Sequence, residues 1–247
     1  MGGGTLNSIE LRGRKSSVHN NQMTNVSNYD QLQLNDYYSQ LAPELAQQPT
    51  RIHAVPERQY ELQNLIALAL KFSIEQNLLE LACGIGFWTE KLAKSARAIL
   101  AIDICESTLR LAEQRVISNC VRFARADALN LSIENTGITA VFSGFFLSHL
   151  RRNALKGFFS QIDSQLDNGV RVLFFENTFP RSCMRRYRCI DVESNTFEFR
   201  CLGNGDEHLI LKNDFTDSEL MAALSPRASK VRVERGIYYW SLSYEID

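Results

Sequence analysis

Between residues 59 and 180 the chain alternates two periods. Residues 60–72 carry apolar side chains at 62, 65, 66, 69 and 70, the spacing of one helix face. Residues 78–82 form a short apolar run of strand type, and 98–102, 121–126, 140–146 and 170–175 repeat it. Between these runs, 87–96, 107–118 and 155–166 read as helices, with Leu109, Leu111, Ala112 and Val116 on one side of the second. Short strands without polar alternation, separated by amphipathic helices, predict an α/β domain with a parallel sheet covered on both faces. After 180 the alternation stops. Residues 197–202 and 208–212 flank Gly203-Asn204-Gly205-Asp206-Glu207, a hairpin signal. Residues 217–224 read as a helix behind Thr216-Asp217-Ser218-Glu219. Residues 230–233 and 238–244 close the chain as an antiparallel hairpin around Arg235-Gly236.

Upstream of 59 the pattern fades. Residues 1–30 are rich in Gly, Ser, Asn and Gln and read as a disordered tail. Residues 31–58, with Tyr37, Tyr38, Pro43, Pro49 and Pro56, read as a broken helical arm. The expected organisation is tail, arm, and one domain over 59–247 with a hairpin insertion at about 197–212.

Composition narrows the class. With 247 residues, 45% hydrophobic and 22% charged, the chain is neither collagenous, disulfide-rich nor wholly disordered. A net charge of −1 counts against a dedicated nucleic-acid binder. The longest clean apolar run, 65–70, falls far short of the ~20 residues of a membrane span. Six cysteines without a Cys-x-x-Cys pair read as reduced thiols, and only four histidines leave no metal-ligand spacing. The first residues lack an apolar leader core, so a cytoplasmic monomer or homodimer is expected.

The candidate chemistry sits at the carboxyl ends of the strands, where open α/β sheets bind ligands. The first strand ends in Glu80-Leu81-Ala82-Cys83-Gly84-Ile85-Gly86, whose glycines let a ligand approach the backbone. Asp103 ends the second strand, placed to accept both hydroxyls of a ribose. Asp127 ends the third, where its carboxylate and the Ala128 amide can address an adenine edge. A dinucleotide wants a third glycine and an open helix N-terminus for its pyrophosphate. Here Phe87, Trp88 and Thr89 follow instead, and Glu80 adds negative charge. That environment opposes pyrophosphate and suits a cofactor carrying an ammonium and a sulfonium, which points to S-adenosyl-L-methionine rather than NAD.

These residues resemble a known family. Leu79-Glu80-Leu81-Ala82-Cys83-Gly84-Ile85-Gly86 resembles the first motif of class I S-adenosylmethionine-dependent methyltransferases of the small-molecule type. Ile102-Asp103-Ile104 resembles the second motif, Ala126-Asp127-Ala128 the third, and Leu166-Asp167-Asn168-Gly169 the Leu-x-Pro-Gly turn before strand five, with Asn168 in place of proline. Thr139-Ala140 stands where strand four usually opens with an aspartate. The resemblance, over about 36–247, implies a Rossmann-like doubly wound sheet of seven strands, the last antiparallel. It implies Glu80, Gly84 and Gly86 at the methionine part of the cofactor, Asp103 at the ribose, and Ile104, Asp127 and Ala128 at the adenine. Ala82, Trp88 and Phe145 complete the expected cofactor set, and Tyr38 belongs to a lid that closes over it.

The resemblance further implies transfer of a methyl group to a small molecule. His149, in Phe145-Phe146-Leu147-Ser148-His149, is the candidate general base, or else a hydrogen-bonded support for its loop. Arg181, Arg185, Arg186 and Arg188, with Arg151 and Arg152, suit a carboxylate or phosphate, or are solvated loop charge. Arg181 and Arg185 are the candidate substrate residues. The expected reaction is O-methylation of an anionic metabolite: a carboxylate, phosphonate, phosphate ester or acidic phenol. A small amine received by Glu176, an RNA or protein acceptor, and a cofactor-binding scaffold without turnover are the alternatives. No metal, nucleic acid or membrane partner is expected.

Overall fold

The most apolar runs of the sequence build the centre of the molecule. The computed structural model describes residues 29, 31–47, 55–133, 137–178 and 188–247. The sequence expectations for the tail and for Arg181, Arg185 and Arg186 lie outside the described residues, apart from Tyr29.

Strand β1 (Asn77–Leu81) pairs in parallel with β2 (Ala98–Asp103) on one side and β4 (Ala140–Gly144) on the other. β3 (Val121–Arg125) and β5 (Arg171–Asn177) extend the parallel set at its two ends. β10 (Tyr239–Ile246) then enters antiparallel between β5 and β9 (Ala228–Arg235). The order β3-β2-β1-β4-β5-β10-β9 is that of the expected seven-stranded sheet. The chain leaves β1 towards β2 and β3 and returns to β4, so the topological switch point falls between β1 and β4. A ligand crevice opens there, beyond the carboxyl ends of the strands.

Neighbouring residues of one strand serve opposite faces, as the two-residue period requires. Phe174 packs with Phe158, Phe159 and Ile162 of α5 (Leu155–Ser164) and Leu220 of α6 (Asp217–Ala223). Phe175 and Phe142 pack with Leu62 and Ala69 of α2 (Pro56–Ser73), Leu92 of α3 (Thr89–Leu92) and Leu109 of α4 (Glu106–Arg115). Burial on both faces is why these strands show no polar alternation. The Thr216 signal holds: its Oγ1 accepts from the Glu219 amide and its own amide donates to Glu219 Oε2 at 2.8 Å, a capping box for α6.

The helix expected over 87–96 is the main local difference. Only Thr89–Leu92 is α-helical. Around it the amides of Lys91, Lys94 and Ser95 reach back three residues, to Trp88, Lys91 and Leu92, in tighter turns. Apolar spacing does not separate such turns from a helix.

In the arm, residues 31–47 form one helix, α1 (Gln31–Gln47), that continues through Pro43. It packs Leu34, Tyr37 and Leu41 on a second, antiparallel sheet of β6 (Arg188–Ile190), β7 (Thr196–Cys201) and β8 (Glu207–Leu211). The expected insertion hairpin is β7–β8, and β6 makes it three-stranded. Among the described residues no helix is long and apolar enough to cross a membrane.

Candidate active site

A cavity of about 300 Å³ opens at the switch point, under α1. Its wall includes Tyr38, Gly84, Trp88, Asp103, Phe145 and His149. A recess of about 30 Å³ adjoins it, sharing Ala82, Asp103, Ile104 and Phe146 with the cavity and reaching Asp127 and Ala128. The candidates from the three strand ends therefore converge, with two exceptions, Gly86 and Glu80.

The loop after β1 explains the first exception. Ala82, Gly84 and Gly86 have φ of +52°, +55° and +75°, a left-handed backbone that glycine adopts without strain and alanine does not. A Cβ on Gly84 would meet nothing within 4 Å, so this glycine leaves open space at the cavity wall. A Cβ on Gly86 would lie 3.1 Å from Ala112 and Val116. Gly86 thus lets α4 approach, and it stands outside the cavity wall. Phe145, at φ +70°, is the other strained residue lining the cavity. Strain of this kind, worth about 1–3 kcal/mol each, collects at functional sites.

Asp103 is held by two backbone amides. Its Oδ2 accepts the Gly84 amide at 2.8 Å, and its Oδ1 accepts the Cys105 amide at 2.8 Å. The Thr108 hydroxyl lies 3.3 Å from Oδ1, but its one proton has a nearer acceptor in the Cys105 carbonyl at 2.8 Å. Burial raises the Asp103 pKa, and the hydrogen bonds oppose the rise. Each oxygen then keeps a lone pair for a further donor, as two ribose hydroxyls require.

Glu80 is 1% exposed and lies behind the cavity wall, which explains the second exception. Its Oε2 has no hydrogen-bond partner. Burial, with Asp103 adding repulsion, pushes its pKa up to about 8. Thr89 opposes the rise, although its hydroxyl makes no hydrogen bond of ordinary geometry. A buried carboxylate with one oxygen unmatched, next to a second carboxylate, marks a place for a cation.

Trp88 stacks its indole against Phe142, Phe145 and Phe175, with ring centres 5.2–5.8 Å apart. Gly144 makes room for it, since a Cβ there would fall 2.2 Å from the indole nitrogen. Asp127 accepts the Leu129 amide at 2.9 Å through Oδ1, which fixes the recess.

The roof joins the arm to the small sheet. His149 is buried, and its Nδ1 lies 2.8 Å from the Leu211 carbonyl. A carbonyl only accepts, so Nδ1 carries the proton. Nε2 then accepts from the Tyr38 hydroxyl, 3.0 Å away. Burial, with Lys212 and Arg200 nearby, lowers the His149 pKa well below its usual value. Burial also raises that of Tyr38. The pair is neutral.

Glu176, the candidate amine receptor, is occupied. Its Oε1 accepts the Ser148 amide at 3.0 Å and hydroxyl at 2.8 Å, and its Oε2 accepts the Asn177 amide at 3.0 Å and lies 3.5 Å from Lys212 Nζ. Arg151 and Arg152 also face away from the cavity. Arg151 binds Asp191 and the Tyr29 carbonyl, and Arg152 binds Glu219 and the Ser194 carbonyl. Sequence reasoning missed Arg200 and Lys212, which surround the His149–Tyr38 pair. Their signal was the charge at alternate positions 198, 200 and 212 of the hairpin, in phase with buried residues.

Residues 78–169 match the profile of the methyltransferase domain family. Residues 78–169 form a methyltransferase domain of the S-adenosylmethionine-dependent type. Over 111 residues this domain is 30% identical to phosphoethanolamine N-methyltransferase 1 of Triticum aestivum, covering 43% of this chain and 22% of the relative. It is 30% identical over 111 residues to demethylmenaquinone methyltransferase of Lactiplantibacillus plantarum, covering 42% and 46%. The chain thus spans between about a fifth and just under half of the curated relatives it matches. Among solved structures, the DhpI–SAM–HEP complex superposes with a TM-score of 0.69 at 20% identity, over 86% of this chain and 95% of that one. NodS N-methyltransferase of Bradyrhizobium japonicum, in complex with S-adenosyl-L-homocysteine, superposes with 0.59 at 16%, over 85% and 98%. These likenesses extend the shared fold well beyond residues 78–169.

Proposed function

We propose that the protein transfers the methyl group of S-adenosylmethionine to an oxygen of a small acid that is already ionised when it binds. The residues present fit this cofactor. Asp103 has lone pairs for the ribose, Gly84 leaves room at the wall, and Asp127 with Ala128 lines a small recess beside the cavity, where the edge of an adenine would point. The unmatched Oε2 of Glu80 suits the ammonium of the methionine part. Bound there, the cofactor supplies a methyl carbon on a sulfonium sulfur, which leaves as a neutral thioether when an acceptor lone pair bonds to that carbon.

The state of His149 carries the choice of acceptor. As a base it would have to become an imidazolium while buried beside Lys212 and Arg200. Its Nε2 lone pair is also engaged by Tyr38. A site that resists taking up a proton favours a nucleophile with none to give, such as a carboxylate or phosphonate. Tyr38 and His149 then position the acceptor and exclude water, and alignment alone can supply about 7–11 kcal/mol of barrier reduction. An amine would need a negative group, and Glu176 is committed to Lys212, Ser148 and Asn177.

The test is a panel of small acceptors with methyl-labelled cofactor. Carboxylates and phosphonates should be methylated, and their preformed esters and matched primary amines should not. Labelling of amines alone overturns this reading.

A further inference from the structure

The face of the small sheet that meets the arm carries buried charge. The β7–β8 register sets Glu198 opposite Ile210 and Arg200 opposite His208. Alternation therefore puts these four side chains on one face, with Lys212 following in phase. That face meets α1: the His208 ring lies 5.3 Å from Tyr37, and Arg200 is the strongest charge acting on the Tyr38 phenol. Arg200 donates from Nη2 to Glu198 Oε2 at 3.1 Å, and the Tyr37 side chain is a second hydrogen-bonding neighbour of its guanidinium. Its Nε, and the Nε2 of His208, are shut off from solvent without a hydrogen-bond partner. Leaving a buried polar group unmatched costs about 1–3 kcal/mol. Two such nitrogens on paired residues of one strand pair, beside the arm whose Tyr38 lines the cavity, mark a place for an oxygen-bearing ligand.

We infer that Arg200 and His208 form the subsite that holds the charged end of the acceptor, between the arm and the small sheet, with Tyr38 as the wall shared with the cofactor cavity. The inference rests on the proposed reading of the acceptor as an ionised acid. A guanidinium offers a fork of donors that matches two oxygens of one acid group, and His208 adds a single donor when its Nε2 holds the proton. The ligand class is a carboxylate, phosphonate or phosphate monoester. An acid group with two or three oxygens can keep one on Arg200 while another accepts the methyl. The chain binds this charge through β7 and β8, so the residues that choose the substrate lie outside the motifs that choose the cofactor.

The experiment titrates methylphosphonate, and separately acetate, into the protein saturated with S-adenosylhomocysteine, followed by calorimetry. The wild-type complex should bind at least one of them. The double variant Arg200→Gln/Glu198→Gln removes the donor fork without leaving a carboxylate unpaired. It should bind the anion about 10- to 100-fold more weakly, while its affinity for S-adenosylhomocysteine stays unchanged. His208→Ala should weaken anion binding by about tenfold. Arg200→Lys keeps the charge, loses the fork, and should fall between wild type and the double variant, also serving if the double variant fails to fold. Undiminished anion binding in these variants overturns the subsite and leaves the ionised-acid reading standing. Failure of both anions to bind the wild-type complex overturns the subsite directly. Amine methylation without any oxyanion turnover overturns the reading beneath it as well.

Discussion

Glu80 and Glu176 are both buried near the carboxyl end of a sheet strand, β1 and β5 respectively, in opposite circumstances. Glu176 receives Ser148 twice, Asn177 and Lys212, so its charge is matched inside the protein. Glu80 has an oxygen with no partner and Asp103 as a neighbour. One carboxylate completes the fold and the other leaves it incomplete. Buried charge that the protein satisfies itself belongs to architecture, and buried charge that it leaves unsatisfied belongs to a ligand.

The contrast breaks most visibly at Glu176. Glu176→Ala strands the Lys212 charge and the Ser148 amide in the core, and should cost about 3–5 kcal/mol of stability in denaturant unfolding. Replacing both partners by Met should recover most of that loss. A Glu176→Ala protein of unchanged stability would show that Lys212 finds another partner, and the contrast would fail on that side.

Asp103 comes next. Asp103→Ala removes a carboxylate that already accepts Gly84 and Cys105 and is placed to receive two ribose hydroxyls. Affinity for S-adenosylhomocysteine should drop by at least about 100-fold in calorimetry, from two lost charge-assisted bonds. Gly84→Val should act in the same direction, because its branched side chain occupies the open space at the cavity wall and sits at φ +55°. Binding within a factor of two of wild type in both variants would remove the cofactor from this cavity.

Glu80 sharpens the comparison through pH. Its pKa rises from 4.5 to about 8 on folding, so the folded protein binds this proton more tightly than the unfolded chain. Its contribution to the stability of the ligand-free protein is therefore complete below pH 4.5 and is lost as pH climbs towards 8. Glu80→Gln should flatten that part of the stability–pH curve, read from melting temperatures. It should also weaken S-adenosylmethionine by about 10- to 100-fold near pH 8, where the wild-type carboxylate can meet the ammonium charged. An identical pH slope in the variant would show that Glu80 is matched after all.

The two sides of the cavity were unequally legible in the sequence. The cofactor side comes from three contiguous stretches, each a strand end followed by its turn, so Glu80, Gly84, Asp103 and Asp127 could be placed by period alone. Even there Gly86 misled, because a glycine that admits a helix and a glycine that admits a ligand have the same letter. The proposed acceptor side would be assembled from residues 38, 149, 200, 208 and 212, on a helix, a turn and the β7–β8 hairpin. No local spacing relates them, and the arginines after β5 drew notice because they cluster in one short stretch, 181–188. The charges that count at the roof were in plain view at alternating hairpin positions, but only the packing of α1 on β7 and β8 shows that this face is buried.

The smallest expected effect tests the acceptor side, at His149. A histidine acting as general base contributes about 10²–10⁴ in rate. Here the imidazole gives its Nδ1 proton to Leu211 and its Nε2 lone pair to Tyr38, under Lys212 and Arg200. On the proposed reading it holds the arm to the small sheet and takes up no proton during turnover. His149→Gln keeps a donor and an acceptor in similar places, so kcat for an oxyanion acceptor should fall by less than about tenfold. Because its lowered pKa keeps the imidazole neutral, the wild-type profile of kcat should show no limb near the usual histidine range, and the variant profile should keep the same shape. Tyr38→Phe, which removes the hydroxyl and leaves the ring, should affect KM for the acceptor more than kcat. A loss beyond about 100-fold in His149→Gln, with a wild-type limb that the variant lacks, would make His149 the base and an un-ionised alcohol or phenol the acceptor.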